Sequence, residues 1–188
     1  MLSQVVKYLI AGLIFCWAVP GYSLINGKLQ MAPSYKLEVG DPSISLSGSL
    51  TKVAVHVDPI PLVPVSAGIT SSMIDATATS GGTDYKDTGA VVGLELMAWS
   101  PVELLSLTPY LRFNTVIQGS YTREAGISSY TADVSGSGTA IGVSYSPVPL
   151  IALLLEYDTG SLKLAKKILN TTDTAKYTAI LFGVEVGI

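Results

Sequence analysis

Among the 188 residues of this sequence, Glu95 and Arg112 form the pair best placed to do electrostatic work. Each stands in a segment where apolar and polar residues alternate, and the two segments flank the break at Ser100-Pro101. A chain reversal centred near residues 102–104 would set Glu95 directly opposite Arg112, the arrangement of a salt bridge. Glu156 and Glu185 have the same polar parity on later segments of the same kind. Two uses follow: a charge network that ties segments together inside a low-dielectric space, or a gated ion path along the four side chains. A buried charge left without a partner costs several kcal/mol, so either use requires the fold to bring these residues together.

Other chemistry has less to work with. His56 is the only histidine, which removes histidine metal clusters and histidine relays; its position opposite Val55 and Val57 suits a polar interior or rim residue. Serines are plentiful, but no G-x-S-x-G nucleophile turn occurs, so no catalytic residue is assigned and the chain is read as not an enzyme. Gly136-Ser137-Gly138 has the look of half a phosphate loop inside a strand pattern, and is better understood as space for neighbouring side chains. Cys16 is the only cysteine and lies in an apolar leader, so no disulfide, thiolate metal site or other metal site is expected, and no cofactor. The formal charge of −3 becomes −4 once Lys7 is removed with that leader, too mild and of the wrong sign for nucleic acid.

The elements that must position these residues are strands. Hydrophobic residues make up 48% of the chain and charged ones 13%, about half the usual charged share of soluble domains. Alternation with a period of two, the mark of a strand with unlike faces, recurs along the chain. Ile180, Phe182, Val184 and Val186 share one face; Leu94, Leu96 and Ala98 share another; Leu111 and Phe113, and Ile151, Leu153, Leu155 and Tyr157, repeat the pattern. Proline-bearing breaks at Asp58-Pro59-Ile60-Pro61, Ser100-Pro101 and Ser146-Pro147-Val148-Pro149 mark strand ends, and breaks near Gly40-Asp41, Gly81-Gly82, Glu124-Ala125-Gly126 and Asn170-Thr171 fall between them. The spacing predicts eight strands over 31–40, 44–58, 62–79, 85–100, 105–122, 129–146, 150–167 and 175–188. The proline connections are read as the tight ones, with longer loops at the other end. Along the second strand the apolar parity changes from Ile44, Leu46 and Leu50 to Val53, Val55 and Val57, which a bulge near Lys52 would reconcile.

Strands this long exceed the five or six residues usual in soluble sheets. Their polar faces carry glycine, serine and threonine with charges of both signs: Lys36, Glu38, Lys52, Glu95, Arg112, Glu156, Asp158 and Glu185. That composition suits a membrane barrel, apolar outside and polar within. Trp99 and Tyr110 have the inward parity and would cap the lumen, while Tyr145 and Tyr157 suit an interfacial belt. Residues 8–19 are apolar and follow Lys7, too short for a spanning helix of about 20 residues and arranged as an export signal. The expected organisation is therefore a signal peptide over 1–23, cleaved after Ser23, and a barrel domain over 24–188.

The export signal, eight alternating strands and an apolar terminal strand resemble the small outer-membrane β-barrels of the OmpA-domain, OmpX and OmpW type. The resemblance implies an all-β, eight-stranded antiparallel transmembrane barrel of up-and-down topology in a Gram-negative envelope. It implies outer-membrane lipid and the barrel-assembly machinery as partners, the terminal strand of Ile180, Phe182, Val184 and Val186 matching the assembly signal, although the sequence ends in Ile188 rather than phenylalanine. Lys163, Lys166, Lys167 and Lys176 cluster near the last loop, as a solvated rim or as a contact to the phosphates of lipopolysaccharide. The expected role is structural or interactive within the envelope, with a narrow, side-chain-filled lumen. The alternatives are a small pore or lateral route for small or apolar molecules, and a soluble lipocalin-like carrier with the faces inverted.

Overall fold

A computed structural model describes residues 25–40, 44–58, 63–102, 105–166 and 171–187. The leader, Cys16 and the expected cleavage site lie outside the described residues. Eight strands follow in chain order: β1 (Ile25–Val39), β2 (Ile44–Val57), β3 (Val65–Ser80), β4 (Thr83–Trp99), β5 (Leu107–Ala125), β6 (Ser128–Val148), β7 (Ile151–Lys166) and β8 (Thr171–Gly187). Each pairs antiparallel with its neighbours, and β1 pairs with β8 to close the barrel. Both ends of the strand series therefore lie at the end that carries the proline-bearing connections.

At the terminal end β1 begins six residues earlier than the sequence predicts, and at the end away from the termini β3, β4, β5, β6 and β8 run one to four residues further. There, β3 and β4 meet through Gly81 and Gly82, both at positive φ (59° and 76°), the backbone that a two-residue hairpin turn demands; β5 and β6 meet through Gly126 and Ile127. The expectation of longer loops at this end is corrected: residues read as loop are strand. Asp84, Glu124, Thr172 and Thr174 have the look of turn residues, but in a strand whose outer face meets water they are ordinary outward residues.

The distribution of exposure explains why. Toward the termini the barrel carries an apolar exterior on all eight strands: Leu29 and Met31, Val53 and Val55, Ile69, Leu94 and Leu96, Leu111 and Phe113, Ile141, Leu153 and Leu155, Phe182 and Val184 are all exposed. Along β8 this belt runs from Val186 to Ile180. Six residue steps of about 3.3 Å, tilted about 40° and extended by the end side chains, cover roughly 20 Å, close to the height of the apolar band of membrane barrels. This exterior excludes the lipocalin-like arrangement. Beyond the belt the faces exchange roles. Ser45, Ser47, Asp75, Thr77, Asp84, Lys86, Thr131, Ser135, Lys163, Thr174 and Lys176 point out, while Leu37, Val39, Leu46, Leu50, Ile74, Val134, Leu162 and Leu164 are buried inside. The upper half is built like a water-soluble barrel standing on a membrane-spanning one.

The parity change on β2 needs no bulge. Leu46, Leu50, Lys52, Ala54 and His56 all point inward, and β2 pairs with β3 without a break; what changes is the lumen content, apolar above and polar below. The expected bulge near Lys52 is thus corrected. An irregularity does occur in β1, where the register shifts between Ala32 and Tyr35. Pro33, which has no N–H to give to a ladder, and Ser34 form the extra step. Ala32 and Tyr35 both point inward as a result, and Lys36 and Glu38, expected in the lumen, are exposed outside.

The two-part exterior makes a direct prediction. Leu94→Arg and Val184→Arg each place a charge in hydrocarbon and should each cost about 2–4 kcal/mol, whereas Thr77→Arg, outward but above the belt, should leave stability within about 0.5 kcal/mol. Unfolding of the refolded variants in detergent micelles gives the ranking; equal losses at all three positions would contradict the boundary.

Candidate functional site in the barrel lumen

An eight-stranded barrel has an interior only wide enough for side chains, and here four successive levels fill it. At the level nearest the termini, Trp99 and Tyr110 lie with ring centroids 4.9 Å apart, next to buried Met97 and Leu154. The Lys28 ammonium sits 5.0 Å from the Trp99 ring centroid and 3.1 Å from Glu185. Trp99 donates its indole N–H to Ser66 at 3.4 Å.

Above this floor lies a charge cluster with Arg112 at its centre. The guanidinium donates from Nη1 to Glu95 at 2.7 Å. Nε and Nη2 grip both oxygens of Glu156 at 3.1 and 2.6 Å, a bidentate fork, and Nη2 also reaches Asp158 at 2.6 Å. Glu95 is contacted in turn by the Lys52 ammonium and by His56 Nε2 at 3.1 Å. Tyr110 donates to Glu156 at 3.1 Å, and Tyr177 to Asp158 at 3.4 Å. Glu95, Arg112, Glu156, Asp158, Lys52 and His56 are all buried. Three cations (Lys28, Lys52 and Arg112) thus face four carboxylates (Glu95, Glu156, Asp158 and Glu185), with the His56 imidazole as the fourth basic group.

Glycines make the room. A Cβ on Gly138 or Gly160 would run into the Tyr177 ring or hydroxyl, and one on Gly142 into the Tyr110 ring. The Gly136-Ser137-Gly138 run is therefore part of the wall behind Tyr177. The third level is apolar: Tyr35, Leu37, Leu46, Leu50, Ile74, Val134, Leu162, Leu164 and Leu181 pack as one cluster. At the far rim, Arg123 forms a second bidentate pair with Asp87, at 2.8 and 2.6 Å, and Tyr121 donates to the same carboxylate. Lys166 joins Asp173 at 2.8 Å and lies 4.7 Å from the Tyr130 ring centroid.

The structure brings Glu95, Arg112 and Glu156 into one cluster, but not in the expected register. Glu95 pairs across the ladder with Asn114, and Arg112 with Met97. The ladder, with Trp99 opposite Tyr110, centres the reversal between residues 104 and 105, beyond 102–104, so the pair meets diagonally. Glu185 stands apart from Arg112 and pairs with Lys28 instead. Lys28 escaped the sequence reading because β1 was started at residue 31. Asp87 falls inside the expected fourth strand and Arg123 one residue past the expected fifth; their parity with Glu95 and Tyr121 is the signal that could have found them. Of the lysine group, Lys163 and Lys176 are exposed on the outer wall, Lys166 is tied to Asp173 at the rim, and Lys167 lies outside the described residues.

The fold and the filled lumen define the class: a closed, eight-stranded antiparallel transmembrane β-barrel, apolar outside and braced by charge within. Neither a family model nor a curated protein matches the sequence. Among solved structures, the chain is similar to Neisserial surface protein A, with a TM-score of 0.66 at 17% identity, covering 88% of this chain and 98% of that one. It is also similar to a major outer membrane protein of Thermus thermophilus, with a TM-score of 0.54 at 9% identity, covering 87% of this chain and 99% of that one. At these identities the likeness is one of fold.

Removing the hub leaves several buried carboxylates facing one another. Arg112→Met should therefore lower stability by about 3–5 kcal/mol. Arg112→Lys should recover only part of this, since an ammonium cannot reproduce the fork. Equilibrium unfolding by urea or guanidinium of refolded protein in micelles is the check, and a wild-type midpoint for Arg112→Met would show that the cluster contributes nothing.

Proposed function

We propose that this protein is an outer-membrane scaffold with a structural or surface-interaction role in the envelope, and that it neither conducts nor catalyses. The observation that carries the reading is the filled lumen beneath a barrel half built for water. An ion entering from the terminal end would meet the Trp99–Tyr110 floor, then a cluster whose carboxylates already have cationic partners, then the apolar layer around Leu46, Leu50, Ile74 and Leu164. Hydrogen-bonded ladders join every neighbouring pair of strands, with the widest interruption a local register shift on β5 between Val116 and Ser120, which argues against a lateral route for apolar molecules.

In this reading the termini face the periplasm and the polar half stands outside the cell, presenting short turns and a hydroxyl-rich wall to its surroundings. The outward row Ile180, Phe182, Val184 and Val186 of β8 supplies the alternating apolar edge that the barrel-assembly machinery would receive during insertion. The signal peptide over 1–23 would deliver the chain to that machinery.

Two measurements test the proposal together. The expressed protein should fractionate with outer membranes and migrate differently boiled and unboiled, because a closed barrel resists detergent until heated. In planar bilayers the refolded protein should give no conductance steps. Reproducible steps altered by Arg112→Met would establish the pore instead, and recovery in the soluble periplasmic fraction would overturn the membrane assignment.

A further inference from the structure

The exterior changes character within a single register row on one side of the barrel. Across β1, β8, β7 and β6, Ser34, Ile180, Tyr157 and Ile141 stand side by side, and the last three are large exposed apolar residues. The next outward row is Lys36, Thr178, Thr159 and Thr139, and the one above it is Glu38, Lys176, Ser161 and Ser137. One step higher, Lys163 lies between Thr174 of β8 and Ser135 of β6. Three lysines thus climb diagonally over a floor of hydroxyl groups, starting immediately above the apolar belt. Lys36, Lys163 and Lys176 are all exposed. Among the described residues of β1, β7 and β8, Glu38, beside Lys176, is the one exposed carboxylate, and on β6 Asp133 stands a row above Lys163.

The wall on the other side differs. Asp75, Asp84 and Glu124 point outward from β3, β4 and β5, and the only outward lysine there among the described residues, Lys86, stands opposite Glu124. Excess positive charge at the waterline is therefore confined to β1, β8 and β7. At this height a membrane presents its headgroups, and phosphate is the group that ammonium and hydroxyl donors suit best. A common phospholipid offers one phosphate and a small head group, whereas the platform continues upward for two further rows of hydroxyls, matching a larger headgroup that carries sugar beyond its phosphate.

We propose that the outer wall of β1, β8 and β7 binds the phosphorylated glycolipid of the outer leaflet. Lys36, Lys176 and Lys163 take its phosphates, and Thr178, Ser161 and Ser135 bond its sugars, Thr159 being already engaged with the Tyr177 carbonyl at 3.1 Å, while its acyl chains lie along Ile180, Tyr157 and Leu155. The inference rests on the outer-membrane orientation proposed above. It differs from the lysine group suggested by the sequence alone, since it adds Lys36, which the Pro33–Ser34 irregularity turns outward, and drops Lys166, which Asp173 already holds, and Lys167, which lies outside the described residues.

The test uses the refolded mature barrel in neutral detergent micelles, with the thermal midpoint followed as lipopolysaccharide is titrated. Wild type should be stabilised with a saturable midpoint that weakens in high salt. The K36Q/K163Q/K176Q variant should bind about tenfold more weakly or worse, while K86Q on the opposite wall should match wild type. All three lysines are exposed, and unboiled gel migration confirms that the variant is folded; the single variants K36Q, K163Q and K176Q give a graded loss if the triple variant does not refold. Dephosphorylated lipopolysaccharide should bind no better to wild type than intact lipopolysaccharide does to the triple variant. Unchanged binding by the triple variant, or equal stabilisation by the dephosphorylated lipid or by phosphatidylglycerol, would overturn the proposal. Fractionation in cells separates the two readings: a barrel that reaches the outer membrane but ignores the lysine substitutions refutes only the glycolipid site.

Discussion

Within hydrocarbon a backbone N–H or C=O has no water to turn to, and this constraint organises the molecule from the outside in. A sheet satisfies it only by closing, which the β1–β8 ladder does. Closure with eight strands then fixes an interior too narrow to stay empty and too dry to leave a charge alone. Arg112 follows from that geometry: one planar fork reaches Glu95, Glu156 and Asp158 on β4 and β7, linking strands that are not neighbours. The glycines on β6 and β7 belong to the same logic, since Tyr110 and Tyr177 fold over the adjoining wall only where it has no side chains: Gly142 is the ladder partner of Tyr110 and Gly160 that of Tyr177.

The same strands serve two surroundings. Near the termini the hydrophobic effect favours apolar residues outside, where lipid receives them, and leaves the interior to hydrogen bonds and ion pairs. Farther out, water surrounds the wall, and burial favours Leu37, Leu46, Leu50 and Leu164 inside. Each buried leucine there gains about 1.5–3 kcal/mol relative to exposure, a contribution that the lipid-facing leucines of the lower half do not make in the same way. The upper half is thus held by a core, and the lower half by closure and charge.

Much of this was legible in the sequence, because period-two alternation survives whichever face is buried. Val53, Val55 and Val57, or Ile180 through Val186, announce strands and their common face without any structural knowledge. Alternation does not, however, reveal a change of surroundings partway along a strand. The switch from Leu46 and Leu50 to Val53 and Val55 was visible as a change of parity, and the simplest explanation, a bulge, was the wrong one. The actual irregularity was local to Pro33 and Ser34, where a proline in an otherwise regular strand was the clue. Register was less accessible still: whether Glu95 faces Arg112 or Asn114 depends on the length of a seven-residue connection, which composition does not encode. The side chains nevertheless meet, because a diagonal neighbour on the same face lies within reach of an arginine.

The exchange of faces at the Ile180–Thr178 step also acts as a waterline. A barrel with a uniformly apolar wall could ride higher or lower as the bilayer thickens or thins. This one carries threonines directly above isoleucine and tyrosine on neighbouring strands, so a shift by one register row would push Thr178, Thr159 and Thr139 into hydrocarbon or lift Ile180, Tyr157 and Ile141 into water. A displacement by one such row, roughly 5 Å along the membrane normal, is therefore opposed on each of these strands. The rim, with Arg123 locked to Asp87 and Lys166 to Asp173, stands at a constant height above the lipid, and whatever meets this protein from outside meets it at that level.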